Sequence, residues 1–481
     1  MSGIFIKKLR VQNYKCFKDE SIEFAVPNGQ EGSGLNIFVG ENGNGKTTVL
    51  EAFDYLTKSA YSAENRLKIN DFQQTDKEIN ITGETEPFRC KSTVDFYIAQ
   101  GWRFESSGVV FQAESRKAKA RGKLLSSPFE IHSHFKDAAN YIKKDGTQGK
   151  EIDSRDKSFS NSSIEANEIN VFYFDKNRSR HLSTGNYRTT FESICDDLNW
   201  KFLNSLNPAT LSEVIKNISG EYFKSVNDIA QKGTGKKVAK ELSKFFDNKT
   251  FENIRIDLLE LLHPFSTAFF AVRDDFTLNQ IKIKDLGSGI EMILTLLLLK
   301  NISEQSGGSI IYLIDEPEMH LHPRAQEGLA KILLEESKDK QILVSTHSPY
   351  LFKSCVQGAS RLFIFRRNKS GKIEISDEKN TSKPLFPWSP SWGEINYKAY
   401  DLPTVEFHNE LYGYTEEAKK PILEALPKTM VWKNSQSGKD ENVSISKYIR
   451  NAIHHPENRT NNPYTDKEMR ESIDALIGLL K

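Results

Sequence analysis

The chain has 481 residues, and 66 Lys and Arg against 65 Asp and Glu leave a formal net charge of +1. That balance excludes a uniformly basic nucleic-acid coat protein and an acidic disordered chain, while 37% hydrophobic residues supply a substantial core. Four scattered cysteines, Cys16, Cys90, Cys195 and Cys355, exclude a disulfide scaffold and a Cys-type zinc site and point to a reducing compartment.

Ile4–Val11 alternates apolar and polar residues and reads as a strand. Its charges make the N-terminal segment neither a signal peptide nor an anchor. Leu35–Val39 is almost wholly apolar, as a buried parallel strand is, and leads through a Gly-rich loop into a helix at Val49–Lys58. Short strands are expected at Glu78–Thr82 and Ser92–Ala99. A basic run follows (Arg116, Lys117, Lys119, Arg121, Lys123), then a polar stretch at 143–166 that reads as loop, then a buried strand at Glu168–Asp175. Residues 190–265 show apolar positions three and four apart, as in Phe191–Leu206 and Asp257–Leu262, and are expected to be helical. Phe269–Phe276 and Gln280–Ile283 read as paired strands, and Gly289–Ser303 as an apolar helix. Ser309–Ile314 and Gln341–Ser345 read as buried strands, with a helix at Pro323–Lys338 between them. A hairpin is expected at 360–377, turning at Asn368–Gly371, and the chain beyond 380 is expected to be mainly helical. The longest apolar run, Met292–Leu299, is too short to cross a bilayer, so the expectation is a cytoplasmic protein without a membrane partner.

The loop after the second strand, Gly40–Thr47, matches G-x-x-x-x-G-K-[ST] in full. Its glycines let backbone N–H groups curl around phosphate oxygens, Lys46 neutralises phosphate charge, and the Thr47 hydroxyl can face Mg²⁺. The helix N-terminus adds positive partial charge. Gly40, Asn42, Gly43, Asn44, Gly45, Lys46, Thr47 and Thr48 are therefore the candidate phosphate-binding residues. Ile310-Ile-Tyr-Leu-Ile-Asp-Glu316 is an apolar run that ends in two carboxylates, at the strand edge where open α/β sheets hold ligands. Asp315 is placed to support Mg²⁺, and Glu316 to polarise the water that attacks a γ-phosphate. Val344-Ser-Thr-His-Ser-Pro349 ends a further strand in His347, a candidate γ-phosphate sensor. Asp285-Leu-Gly-Ser-Gly-Ile-Glu291 opens the apolar helix with a Gly-Ser-Gly start that can bind an anion through Ser288 and Gly289.

In this order the motifs resemble the ABC-type ATPase heads of the SMC, RecF and OLD-like group. The resemblance begins at Leu9-Arg-Val-Gln-Asn-Tyr-Lys-Cys-Phe17 and continues through the phosphate loop and Leu286–Ile290. It goes on through Asp315-Glu316-Pro317-Glu318 with Leu321-His-Pro323, and ends at Ser345-Thr-His-Ser-Pro349. It implies an α/β ABC-type P-loop head over 1–370, with insertions at about 114–166 and 190–265, and a mainly helical interaction region at 371–481. It implies ATP and Mg²⁺ as cofactors, Glu316 as catalytic base, His347 as switch, and Thr47 and Asp315 at the metal. In that group two heads sandwich ATP, so Ser288 and Gly289 would face a second subunit's phosphate loop in a homodimer or higher homo-oligomer. The group's signature usually begins Leu-Ser, whereas Gly287 stands second here and Ser288 follows, which shifts or removes one side-chain contact. Gln73 and Gln74 are weak candidates for the group's Mg²⁺-contacting glutamine, because little around them sets the register.

Residues 371–481 carry no Asp-x-Asp at a strand end, so no OLD-type nuclease domain is expected there. Glu394-Ile-Asn-Tyr397, Val405–Tyr412 and Tyr448–Asn458 make this tail similar in type to bacterial defence ATPases, including PtuA of the Septu system and its retron-associated relatives. That likeness implies a separate HNH-type nuclease partner restrained or released by nucleotide state. Two alternatives stand beside it. Arg450-Asn-x-x-x-His455 resembles the HEPN ribonuclease motif, which would make the chain its own nuclease. A RecF-like DNA-repair ATPase would instead contact nucleic acid through basic patches such as 116–123, or through Arg178 or Arg180.

Overall fold

The computed structural model describes residues 4–57, 69–91, 103–106, 108–114, 119–120, 123–124, 130–136, 139–152, 169–175, 240, 254–257, 269–273, 280–282, 293–294, 296–297, 309–319, 321–355, 358–434 and 438–480. They fall into two compact units, one of residues 1–37 and 45–360, the other of residues 38–44 and 361–481.

In the first unit, β1 (Ile6–Tyr14) turns through Lys15 and Cys16 into an antiparallel return strand, β2 (Phe17–Glu23). Asn13 and Lys15 take positive φ to make that turn. The expected first strand is thus longer than its alternation suggested, and its partner, with charged residues at Lys18, Asp19, Glu20 and Glu23, has only one buried apolar position between Phe17 and its end. β3 (Leu35–Gly40) is buried along its whole length and belongs to the first unit up to Ile37. α1 (Lys46–Thr57) follows, and Val49, Leu50, Ala52, Phe53 and Leu56 are its wholly buried positions. Their three- and four-residue spacing makes one apolar stripe, and each large side chain on it contributes roughly 1.5–3 kcal/mol of burial.

β4 (Asn80–Thr85), β5 (Val109–Glu114) and β6 (Glu130–Phe135) extend the antiparallel sheet in the order β6–β5–β4–β1–β2. A second antiparallel sheet combines Phe88–Lys91, Arg103–Ser106, Ala139–Ile142 and Gln148–Ile152. Polar chain expected as loop within 114–166 is therefore partly strand. Antiparallel pairing tolerates a solvated face, and the turn at 143–147 is closed by Gly146 N–H to Lys143 O at 2.9 Å and Lys143 N–H to Thr147 O at 2.9 Å. Within 190–265, expected to be helical, the described residues before 258 include a strand, and residues 258–262 lie outside the described residues. Ile254–Asp257 is a strand antiparallel to Phe269–Arg273, because Ile254 and Ile256 alternate with Arg255 and Asp257. Gln280–Lys282 completes that three-stranded sheet. Phe191–Leu206, Ser92–Ala99, Arg178 and Arg180 lie outside the described residues, as do Arg116, Lys117 and Arg121 of the basic run.

The parallel strands β7 (Ile169–Phe174), β8 (Ser309–Asp315) and β9 (Gln341–Thr346) lie side by side in the order β7–β8–β9. All seven residues of β8 and all six of β9 are buried, which explains their near-continuous apolar runs. Gly34 carries the chain past the end of β9: its carbonyl accepts from Ile342 N–H at 2.9 Å, and a Cβ there would stand 2.2 Å from Lys340 O. Gln341 ties the two kinds of sheet together, with its side chain donating to Ile6 O at 2.7 Å and accepting from Ile6 N–H at 3.2 Å. α2 (Pro323–Glu336) and the short α3 (Pro349–Cys355) pack against each other.

In the second unit, residues 38–40 of β3 accompany β10 (Arg361–Arg367), with Phe38 packed 5.7 Å from Phe363 and 5.3 Å from Phe365, ring centroid to centroid. β10 pairs with β11 (Ile373–Asp377), so the expected hairpin forms. α4 (Trp392–Tyr400) is started by a reciprocal capping box between Ser391 and Glu394. α5 (Val405–Glu424), which kinks at Lys419 just before Pro421, α6 (Ile445–His454) and α7 (Asp466–Leu480) enclose a core of Phe407, Leu411, Tyr448, Ile449, Ile473 and Leu476. A two-stranded ribbon, β12 (Met430–Lys433) with β13 (Asp440–Val443), interrupts the expected helical tail and buries Trp432 and Val443 in the same core.

Candidate functional site

The site in the first unit is built from the ends of α1, β8 and β9. Parallel register pairs Asp315 with Ser345, so the last residue of β8 stands beside the fifth residue of β9. The Ser345 hydroxyl donates to Asp315 Oδ1, and the Thr47 hydroxyl stands 3.1 Å from each carboxylate oxygen of Asp315. The sequence separates Thr47 and Asp315 by most of the head, and the fold closes that distance. Lys46 is buried, with 5% exposure, at the first position of α1.

Glu316 follows β8 with φ near +49°, in the left-handed region that a side chain with a Cβ rarely occupies. Its N–H donates to Ser345 O at 3.0 Å, with the Ser345 hydroxyl 3.2 Å away. That conformation turns the Glu316 side chain away from the strand direction and costs on the order of 1–3 kcal/mol, which neighbouring contacts must offset. His347 Nε2 lies 3.5 Å from Glu316 Oε1, and both side chains are partly exposed. Burial, then the positive charge of Lys46, pushes the His347 imidazole down to about 4, so it is neutral near pH 7. A neutral ring can give one N–H to an acceptor and does not compete with a metal for anionic oxygen.

Gly45 has φ near +93° and faces Phe17 and Cys16; a Cβ would lie 2.6 Å from Phe17 Cζ. Cys16 Sγ is 3.7 Å from the Thr48 hydroxyl. The turn between β1 and β2 thereby packs on the start of α1, which links the Leu9–Phe17 motif to the loop it precedes in sequence. In the second unit, Gly40 and Gly43 have φ near +142° and +78°. A Cβ at Gly40 would collide with Phe365 O at 2.1 Å, whereas one at Gly43 would meet nothing within 4 Å. The Asn44 amide donates to Phe365 O at 3.2 Å, and Arg367 Nη2 donates to Gly43 O at 3.2 Å, while Asn42 is exposed. Gly40 is thus demanded by protein packing. Gly43 has open space on its Cβ side and the backbone freedom to aim its N–H at a ligand. Ser288 and Gly289 lie outside the described residues. Gln73 is exposed, and the Gln74 backbone is held by Asn13.

Two residues of this site carry no role in the sequence pattern. Ser345 stands directly opposite Asp315 in the parallel register, and a hydroxyl in a strand-end motif is the signal that marks it. Glu318 belongs to the Asp-Glu-Pro-Glu motif. Its Oε1 accepts the N–H groups of both His347, at 2.7 Å, and Ser348, at 3.1 Å. Burial pushes the Glu318 carboxyl above the usual carboxylate range, against the lowering effect of those backbone N–H groups.

Arg450 lies on α6 and His455 at its end. Arg450 lies over the Tyr412 ring, 5.9 Å from its centroid. His455 sits at the C-terminal cap of α6, 3.2 Å from Glu457 Oε1, and lines a cleft of about 330 Å³ that Arg450 does not line.

Residues 5–352 match the AAA_15 family, described as an AAA ATPase domain. The chain belongs to this ATPase family. An OLD nuclease from Thermus scotoductus is 23% identical over 390 residues, covering 79% of this chain and 65% of that protein. The Septu protein PtuA of Bacillus mycoides is 21% identical over 376 residues, covering 77% of this chain and 42% of PtuA. The DNA replication and repair protein RecF of Clostridium kluyveri is 21% identical over 400 residues, covering 77% of this chain and all of RecF. The chain therefore spans less than two thirds of the OLD nuclease and of PtuA. The AAA ATPase domain and these relatives together support an ABC-type P-loop head of the SMC, RecF and OLD-like group, resembling PtuA, and membership implies nucleotide binding. Among the described residues no helix is long and apolar enough to cross a membrane.

Proposed function

We propose that the chain binds and hydrolyses ATP, and that nucleotide state in this head controls a partner nuclease in a bacterial anti-phage complex. The observation that carries the ATPase reading is the meeting of Thr47 with both oxygens of Asp315, with the Glu316–His347 pair on the adjoining residue. A hydroxyl and a carboxylate are hard oxygen donors of the kind Mg²⁺ takes beside phosphate oxygens and water, so the residues present suit that ion. Thr47 and Asp315 would hold it, and Mg²⁺ there would neutralise charge on the phosphates and orient them.

The chain's own groups then have separate tasks. Gly43, Gly45 and the start of α1 offer backbone N–H groups to phosphate oxygens, with Asn42, Asn44 and Thr48 in the same loop and first turn, and Lys46 supplies a compact positive charge. Glu316 accepts the proton of the attacking water. Neutral His347 offers an N–H to the γ-phosphate and shares a boundary with Glu316. Ser288 and Gly289 complete the site from a second copy of the chain, making the working unit a homodimer or larger. The direct experiment is Glu316→Gln: ATP binding is expected to stay within about threefold, while phosphate release falls roughly 10²–10⁴-fold. Normal turnover in that variant would remove Glu316 from the mechanism.

The defence role rests on the resemblance of the tail to Septu-type ATPases and on the similarity to PtuA. The expected partner is a separate HNH-type nuclease, with the 371–481 region as the contact surface. Co-expression with a nuclease encoded beside it, followed by affinity purification, should recover a stable complex whose cleavage responds to ATP. A second reading, a RecF-like DNA-repair ATPase, is favoured by coverage of the whole length of that relative. It predicts ATP turnover stimulated by DNA alone, which the first reading does not require. A third reading, a self-contained nuclease using Arg450 and His455, predicts cleavage by the chain alone that Arg450→Ala or His455→Ala abolishes.

A further inference from the structure

Between the strand that ends in Asp315 and the strand that ends before His347 lies a carboxylate that the mechanism above does not use. Glu318 is 9% exposed and sits two residues after Glu316, in the turn where Met319 N–H donates to Glu316 O at 3.2 Å and Leu321 N–H to Glu318 O at 2.9 Å. One oxygen, Oε1, accepts two successive backbone N–H groups, those of His347 and Ser348. The other, Oε2, is buried with no hydrogen-bond partner among the described residues. A buried carboxylate is costly to keep unless what it holds is specific, since an apolar side chain of similar size would fill the same volume.

What it holds is the turn that carries the imidazole. Ser348 is gripped from the other side as well: its hydroxyl donates to Gln326 Oε1 on α2, and the Gln326 amide donates to Leu321 O at 2.9 Å. The same hydroxyl accepts from Tyr350 N–H at 3.2 Å and Leu351 N–H at 3.3 Å, capping the start of α3. The backbone on both sides of the His347 Cα is therefore fixed by groups that follow Glu316 in sequence. The 3.5 Å separation of His347 from Glu316 is set by this frame, as well as by the two side chains themselves.

We infer that Glu318 is a positioning residue for His347, coupling the turn after Asp315-Glu316 to the turn after the neighbouring strand so that the imidazole and the Glu316 carboxylate keep a fixed spacing. This rests on the reading of Glu316 as base and His347 as switch. Glutamine at 318 keeps the length and one acceptor oxygen for the two N–H groups, and replaces the unpartnered oxygen by an amide. Alanine removes that acceptor: the His347 N–H loses its partner, while the Ser348 N–H keeps the Thr346 hydroxyl oxygen at 2.9 Å.

The experiment compares the full chain with Glu318→Gln, Glu318→Ala, His347→Ala and the double variant Glu318→Ala/His347→Ala. Steady-state phosphate release and the ¹H–¹³C signal of the His347 ring at pH 7 are measured, the signal being assigned by its loss in His347→Ala. Glu318→Ala is expected to shift the ring signal and to lower kcat by about 10–100-fold with KM for ATP within about twofold, and Glu318→Gln by about threefold or less. The double variant is expected to be no slower than His347→Ala alone, because Glu318 acts only through His347. An unmoved ring signal in both Glu318 variants, or losses that multiply in the double variant, would overturn the inference. Normal turnover in His347→Ala, with the ring signal still moved by Glu318→Ala, would instead sink the switch reading and leave the positioning contact standing. If Glu318→Ala fails to fold, Glu318→Met, which keeps the length and removes the acceptor, decides: its ring signal must move for the inference to survive.

Discussion

Single residues at the site work through backbone placement as much as through side-chain chemistry. Glu316 was legible as a carboxylate after an apolar strand, but its left-handed backbone was not, because φ is set by the pairing of its N–H with Ser345. Thr47 and Asp315 were legible as separate motif members, and their meeting depends on a register only the sheet defines. Two imidazoles carry a pH dependence of known sign. Burial pushes His408 down to about 4, as it does His347, and His408 is fully buried with Nε2 2.9 Å from the Ser472 hydroxyl. A lowered folded-state value means that the unfolded chain takes up the proton first. Stability contributed by the neutral ring is therefore present above about pH 6.5 and is lost as pH falls from 6.5 towards 4. For His408 this amounts to about 2 kcal/mol between pH 7 and pH 5. Urea denaturation at the two pH values should show that loss in the native chain, and His408→Gln should reduce it by a similar amount. An unchanged pH response in His408→Gln would place the titrating group elsewhere.

At the scale of elements, the apolar strands and helices were read where burial is two-sided or where a stripe is long. β8, β9, α1 and α2 fall within a few residues of the expected bounds: the three-and-four spacing marks the helices, and short length with β-branched residues marks the apolar runs as strands. The elements missed are short and mix charged or polar with apolar residues: β2, the strands within 130–152, Ile254–Asp257 and the β12–β13 ribbon. Pairing with a neighbouring strand, rather than their own composition, makes them regular. The three-helix core of the second unit gives a test of its own. Leu411 is wholly buried on α5 among Tyr448, Ile473 and Leu476, so Leu411→Ala should destabilise that unit by about 2–5 kcal/mol in chemical denaturation. Leu402, 52% exposed just after α4, should change stability by less than about 0.5 kcal/mol when replaced by Ala.

For the molecule as a whole, the decisive prediction concerns assembly. If Ser288 and Gly289 complete a second copy's site, Glu316→Gln with ATP and Mg²⁺ should accumulate a dimer in light scattering, and ADP should not. Gly289→Arg should abolish the dimer while the monomer still binds ATP. A monomer under all conditions would refute the shared site. By itself the sequence determined the ATPase class, because a phosphate loop, an Asp-Glu strand end and a strand-end His in that order follow from local chemistry: glycines for backbone freedom, apolar runs for buried strands, carboxylates where those strands stop. Tertiary structure alone decided which of these groups touch. Register set Ser345 against Asp315, and a buried carboxylate at Glu318 fixed the turn bearing His347. Packing set Arg450 over Tyr412 and His455 at the rim of a cleft lined also by Trp432 and Tyr464. The physical reason is range. Spacing along the chain reports which face a residue takes within its own element, whereas contacts between residues hundreds of positions apart depend on how strands pair and helices pack, which no local pattern encodes.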